Sequence, residues 1–165
     1  MAFFYFDSSA LVKRYVSEIG TPLVNYLCAK APMSKMMCLV LSIGEVVSVF
    51  VRKKNGGQIT EDVFYQALAS FRFEVVGSED FNLVPVDTNS VLASLSLIEA
   101  HAINAFDAVV LSSVLELSTK LRDAGDNLVL ITSDKRLERA GKANGVSTFN
   151  PETDAQSLLD ASLDG

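Results

Sequence analysis

Two stretches of this chain are apolar at every position, and each runs into an aspartate. Phe3-Phe4-Tyr5-Phe6 leads to Asp7, and Leu128-Val129-Leu130-Ile131 leads through Thr132-Ser133 to Asp134. Short runs with no polar alternation predict strands buried on both faces, as in a parallel sheet covered by helices. Residues at helical spacing follow each strand, and Ser8 or Ser9 is expected to cap the first of these helices. In an open α/β sheet, ligands bind outside the carboxyl ends of the strands, so Asp7 and Asp134 are expected on one functional edge.

The intervening pattern alternates helices with short strands. Gly20-Thr21-Pro22 restarts the chain as a helix to about Lys30, with Thr21 as cap and Pro22 in the first helical position. Residues 35–39 predict a second buried strand, and 42–51 a helix that ends in Arg52-Lys53-Lys54-Asn55-Gly56-Gly57, where basic residues and glycines are ordinary stop signals. Thr60 opens another helix running to near Gly77. Residues 81–86 form a short strand whose Pro85 favours an edge position, and Asp87 caps the helix after it. Asn104 starts a long helix to about Asp123, and 147–149 completes the sheet. The domain is thus expected over 1–150. Residues 151–165 form an acidic tail without Lys or Arg, in which Leu158, Leu159 and Leu163 offer a short docked helix or fray.

At 165 residues and 49% hydrophobic, the chain suits a single domain with a real core. A net charge of −6 argues against a broad polybasic surface, although a local acidic site holding metal would produce the same imbalance. No apolar run approaches the ~20 residues of a membrane span, and no basic region precedes the first aromatics. A cytoplasmic protein without a signal peptide is expected. Cys28 and Cys38 stand apart among apolar neighbours and read as buried free thiols. His101 is the only histidine, which excludes a two-histidine nuclease within one chain, and its place near a helix end marks it as structural.

Four carboxylates remain: Asp7, Glu45, Asp107 and Asp134. Each has a structural explanation taken alone. The strand-end aspartates can cap helices, Ser42-x-x-Glu45 fits a capping box, and Asp107 stands three residues after the cap Asn104, where a negative charge favours the helix dipole. Taken together, two close buried strands and two lie in first turns of helices that can face the same edge. Converging carboxylates repel and require protons or cations. An all-oxygen set without histidine or thiolate points to Mg²⁺ or Mn²⁺ rather than zinc.

The segments Phe6-Asp7-Ser8-Ser9-Ala10-Leu11-Val12-Lys13-Arg14-Tyr15, Ser42-Ile43-Gly44-Glu45-Val46, Ala105-Phe106-Asp107-Ala108 and Ile131-Thr132-Ser133-Asp134-Lys135-Arg136-Leu137, in this order and spacing, resemble the PIN-domain family of metal-dependent ribonucleases. The likeness is closest to the VapC-type toxins of toxin–antitoxin pairs and covers nearly the whole chain, least well from 55 to 86 and in the tail. It implies an α/β fold, a three-layer α/β/α domain with a central parallel sheet of about five strands. It carries the acidic quartet onto Asp7, Glu45, Asp107 and Asp134, with Ser9, Thr132 and Ser133 supporting the site. It further implies hydrolysis of RNA by attack of a metal-bound water with Mg²⁺ or Mn²⁺ as cofactor, an antitoxin partner and a homodimer. Arg14 and Arg136 are the expected contacts to substrate phosphate. Two rivals stand beside this reading: a PIN-like module that binds RNA or protein without cutting, and a haloacid-dehalogenase-type phosphohydrolase, whose second aspartate would fall on Ser9.

Overall fold

The computed structural model describes residues 2–164. Its centre is a sheet of five strands, β1 (Ala2–Phe6), β2 (Met36–Leu39), β3 (Asn82–Val84), β4 (Asn127–Ile131) and β5 (Ser147–Phe149), ordered β3-β2-β1-β4-β5 and parallel throughout. The chain builds outward from β1 through β2 to β3, then returns to lay β4 on the other side of β1. The order therefore reverses between β1 and β4, the crevice where open parallel sheets bind ligands. Phe6 lies opposite Ile131, and the Asp7 amide donates to the Ile131 carbonyl at 3.0 Å, so both strands release their chains at the same height.

Helices cover both faces: α1 (Ser8–Leu11), extended by a 3₁₀ turn at Val12–Arg14, then α2 (Thr21–Lys30), α3 (Ser42–Asn55), α4 (Glu61–Phe71), α5 (Thr88–His101), α6 (Ala105–Asp123), α7 (Lys135–Ala143) and α8 (Gln156–Asp164). Two cores result. Phe4, Phe6, Val129 and Ile131 point to one face and pack with Leu11, Phe50 and Phe71, whereas Tyr5 and Leu130 point to the other and pack with Leu111, Val114 and Leu137. A strand apolar at every position is what this three-layer arrangement requires, because successive side chains enter different cores.

Several boundaries depart from the sequence pattern for local reasons. Asp7, not Ser8 or Ser9, caps α1, accepting from the Ser9 amide. Gly20, not Thr21, caps α2; it takes φ +90°, and a Cβ there would stand 2.8 Å from the Pro151 carbonyl oxygen. The Thr21 hydroxyl turns instead to the preceding turn, accepting from the Glu18 amide at 2.9 Å and donating to the Lys13 carbonyl at 3.0 Å. The helix from Glu61 widens into a π turn at Arg72–Val76 rather than continuing as α to Gly77. The acidic tail is helical at Gln156–Asp164, docked by buried Leu159 and by the Tyr26 hydroxyl donating to Asp160 at 2.7 Å.

Lys13 fastens the start of that tail. Its side chain is 4% exposed and its ammonium bonds Glu18 at 3.0 Å and Glu152 at 2.6 Å. Two hydrogen-bonded carboxylates hold its pKa up against the opposing effect of burial. Lys13→Ala leaves both carboxylates without that cation. The expected loss is about 2 kcal/mol, below that of a fully buried pair because Glu18 and Glu152 keep contact with water. A denaturant melt reads it directly, and a midpoint equal to wild type would make the network energetically idle.

Candidate metal-binding active site

Asp7 leaves β1 almost wholly buried, at 3% exposure. Its Oδ2 accepts three hydrogen bonds, from the Ser9 amide at 3.2 Å, the Ser9 hydroxyl at 2.6 Å and the Thr132 hydroxyl at 3.2 Å. Ser9 also accepts from the Ser133 amide at 2.9 Å, and Thr132 from the Asp134 amide at 3.1 Å. These two hydroxyls stitch the end of β1 to the end of β4 and fix the spacing of the two strand-end aspartates. Asp134 caps α7, with Oδ1 accepting from the amides of Arg136 at 2.7 Å and Leu137 at 3.1 Å. Oδ2 of Asp134 makes no hydrogen bond within the described residues.

Glu45 reaches the same place from α3. The capping box expected of it does not form: Leu41 is the cap residue without a side-chain bond, and the Ser42 hydroxyl is buried without a partner among the described residues. Glu45 Oε2 accepts instead from the Ser8 hydroxyl, which lies 3.5 Å from Asp7 Oδ1. Ser8 thus links two members of the quartet, a role the sequence pattern did not single out. Asp107 enters from the first turn of α6. Asn104 both caps that helix, accepting from the Asp107 amide at 2.8 Å, and donates its Nδ2 to Asp107 Oδ2 at 2.6 Å.

Electrostatics tie the four together. Asp107 is pushed up from 3.8 to about 7, first by burial and then by the charges of Asp7, Asp134 and Glu45 in that order, with Arg136 opposing. Burial also raises Asp7, against the hydrogen bonds from Ser9, Thr132 and Ser8. Glu45 is raised by burial and by Asp7, while the Ser8 bond and Arg52 pull the other way. One carboxyl that senses three others, at the switch point of a parallel sheet, marks a single acidic centre. Over residues 4–143 the sequence matches the family model described as PIN domain.

The chain belongs to the PIN-domain family. PIN domains are in general nucleases. No curated protein sequence matches significantly. Among solved structures, PAE2754 from Pyrobaculum aerophilum is similar over 100% of both chains, with TM-score 0.59 and 18% identity. FitAcB from Neisseria gonorrhoeae aligns with 90% of this chain and 98% of its own, with TM-score 0.62 and 13% identity. A toxin–antitoxin complex from Klebsiella pneumoniae contains a chain aligned over 89% of this one and 96% of its own, with TM-score 0.54 and 18% identity. At these identities the likeness is one of fold.

The donor set of this PIN domain suits a hard divalent cation: four carboxylates, no thiolate or imidazole, and a Ser133 hydroxyl buried without a hydrogen bond among the described residues. The carboxylates are within electrostatic reach of one another, yet no three His, Cys, Asp or Glu side chains among the described residues form a ready coordination cluster. Asp7 is held by its three bonds, Glu45 by Ser8, Asp107 by Asn104 and Asp134 by the first amides of α7.

The two arginines expected at substrate phosphate part company. Arg14 is turned away from the acidic centre, with Nε and Nη2 each 3.3 Å from Glu74 in the π turn and Nη1 bonding Asn25 at 3.0 Å. Arg136 is exposed on the first turn of α7, forms no ion pair among the described residues and is felt by Asp107. His101, outside the quartet, has its Nε2 2.8 Å from Asn144 Nδ2.

Proposed function

We propose that this PIN domain is a Mg²⁺- or Mn²⁺-dependent endoribonuclease acting as the toxin of a toxin–antitoxin pair. The observation that carries the reading is the joining of the β1 and β4 ends by the Ser9 and Thr132 hydroxyls, with Ser8 linking Asp7 to Glu45 and Asp107 sensing the charges of all three. Such a centre binds cations to relieve its own repulsion. Asp7, Glu45, Asp107 and Asp134 would hold the ion, which when bound supplies charge neutralisation at phosphorus and makes water more acidic. The chain's own groups do the rest. Ser9 and Thr132 hold Asp7 in one orientation, Ser8 does the same for Glu45, and Asp107 Oδ1 or Asp134 Oδ2, each free of hydrogen bonds among the described residues, would take a proton.

An antitoxin partner is supported by the fold shared with a chain of the Klebsiella toxin–antitoxin complex. A homodimer is supported by α5, whose outer face exposes Val91, Leu92 and Leu95. The cytoplasm suits both the substrate and the two free cysteines, whose thiols burial pushes up to about 11 at Cys28 and about 12 at Cys38.

The test is cleavage of total cellular RNA and of labelled single strands in Mg²⁺ or Mn²⁺, with chelator-treated protein as the blank. The rival is a PIN-fold module that grips RNA without cutting. Folded protein that binds RNA and Mn²⁺ but leaves every strand intact would decide for it. Glu45→Gln sharpens the assignment. The amide can still accept from Ser8 while removing repulsion against Asp7, so metal-free Tm should hold or rise, whereas Mn²⁺-induced stabilisation and cleavage should fall. A variant with full cleavage would take Glu45 out of the site.

A further inference from the structure

Helix α3 ends in three basic residues, and two of them have structural work. Lys53 pairs with Glu18, and the Lys54 ammonium lies 4.5 Å from the centroid of the Phe64 ring. Arg52 is exposed and has no ion pair among the described residues. A cation in a last turn complements the helix dipole, but Lys53 and Lys54 already do so.

The position of Arg52 is more particular than that. It follows Glu45 by seven residues, two turns, and so stands on the same stripe of the helix about 10 Å farther along. The core face of α3 carries Ser42, Val46 and Phe50, away from this stripe. Only the short side chains of Ser48 and Val49 stand between Glu45 and Arg52 on it, and Val49 packs partly against the core. The Ser48 hydroxyl folds back to donate to the Gly44 carbonyl at 2.8 Å. Arg52 is within electrostatic reach of Glu45, as Arg136 is of Asp107. Two unpaired guanidiniums therefore flank the acidic centre, one on α3 and one on α7, and short side chains line the track to the first.

We propose that Arg52 is a substrate-positioning residue that binds a phosphate flanking the scissile one, so that RNA runs along the exposed stripe of α3 into the carboxylate centre. The inference rests on the reading that the substrate is RNA. The spacing suits a flanking phosphate rather than the reacting one, because a guanidinium two turns from Glu45 is too far along the helix to reach both. Arginine suits the role, since its planar fork can bond a phosphate through two N–H groups.

The test measures binding of labelled single-stranded RNA in Ca²⁺, an oxygen-seeking cation of the same charge, and cleavage in Mn²⁺. Arg52→Ala should weaken binding and raise KM by about tenfold, leave kcat within about twofold, and flatten the salt dependence of log K by about 0.7, the loss of one phosphate contact to a single strand. Arg52→Lys should restore most of the salt dependence, and Lys120→Ala, which removes a cation paired with Glu116 on α6, should match wild type. Wild-type binding that Arg52→Ala leaves untouched overturns the inference alone. A fall in kcat with KM unchanged also overturns it, because Arg52 would then act through Glu45. Failure of wild type to bind RNA removes both the inference and the functional reading beneath it. Binding that depends on Arg52 without any cleavage keeps the track and discards the nuclease.

Discussion

Asp7→Asn and Asp134→Asn should each lower metal-dependent RNA cleavage by roughly a thousandfold or more, and the double variant should be scarcely slower than either single. The structure gives reasons to expect both proteins to fold. Burial raises the Asp7 carboxyl, so an amide of the same shape removes an unfavourable charge and can still accept from Ser9 or Thr132 through its oxygen. Asp134 caps α7 through one oxygen, and asparagine caps helices about as well as aspartate. Chemistry is where both should fail, because each loses an anionic oxygen from one centre whose members act together. Two unrelated helix caps would behave otherwise, with small additive stability losses and unchanged rates. The measurement is a cleavage rate on an RNA that wild type cuts, with circular dichroism to confirm folding. If either folded single variant cuts as fast as wild type, the two aspartates do not share a site.

The sheet and the strand-end aspartates were legible because the features that specify them are local. Four successive aromatics suit a strand with a core on each face, and β1 and β4 each run from an apolar stretch into a carboxylate with hydroxyl residues beside it. Glu45 was harder to read. Its sequence fits a capping box, but the Ser8 hydroxyl, 37 residues away, competes for the carboxylate, and a bond across the fold leaves no trace in local spacing. Arg14 shows the same limit in reverse. Adjacent to the opening strand, it is drawn off by Glu74, 60 residues on, which the π turn at Arg72–Val76 carries toward it. Arg52 sits among stop signals that explain it without reference to any site; only the separate engagements of Lys53 and Lys54 single it out.

The pH dependence of metal-free stability offers a test that needs no substrate. Asp107 has a folded-state value of about 7 against an ordinary 3.8, so between those values the folded protein holds a proton that the unfolded chain has released. Stability therefore falls as pH rises across that window, and levels off once Asp107 is ionised in both states. Asp7 and Glu45, also raised, act in the same direction, whereas Glu18 and Glu138 are lowered by their lysine partners and act in the opposite one. A single curve mixes these contributions, but the difference between wild type and Asp107→Asn isolates one group. The variant keeps an oxygen for the Asn104 bond and carries no charge, so its stability relative to wild type should grow from about pH 4 to about pH 7 and then hold constant. Mn²⁺ should reverse the order above neutrality, because the cation favours the ionised carboxyl and stabilises only the protein that retains it. Denaturant melts of both proteins at several pH values, with and without Mn²⁺, supply the comparison. A difference that stays flat across the window would mean that Asp107 does not feel the other three carboxylates, and the acidic centre would lose the residue that ties it together.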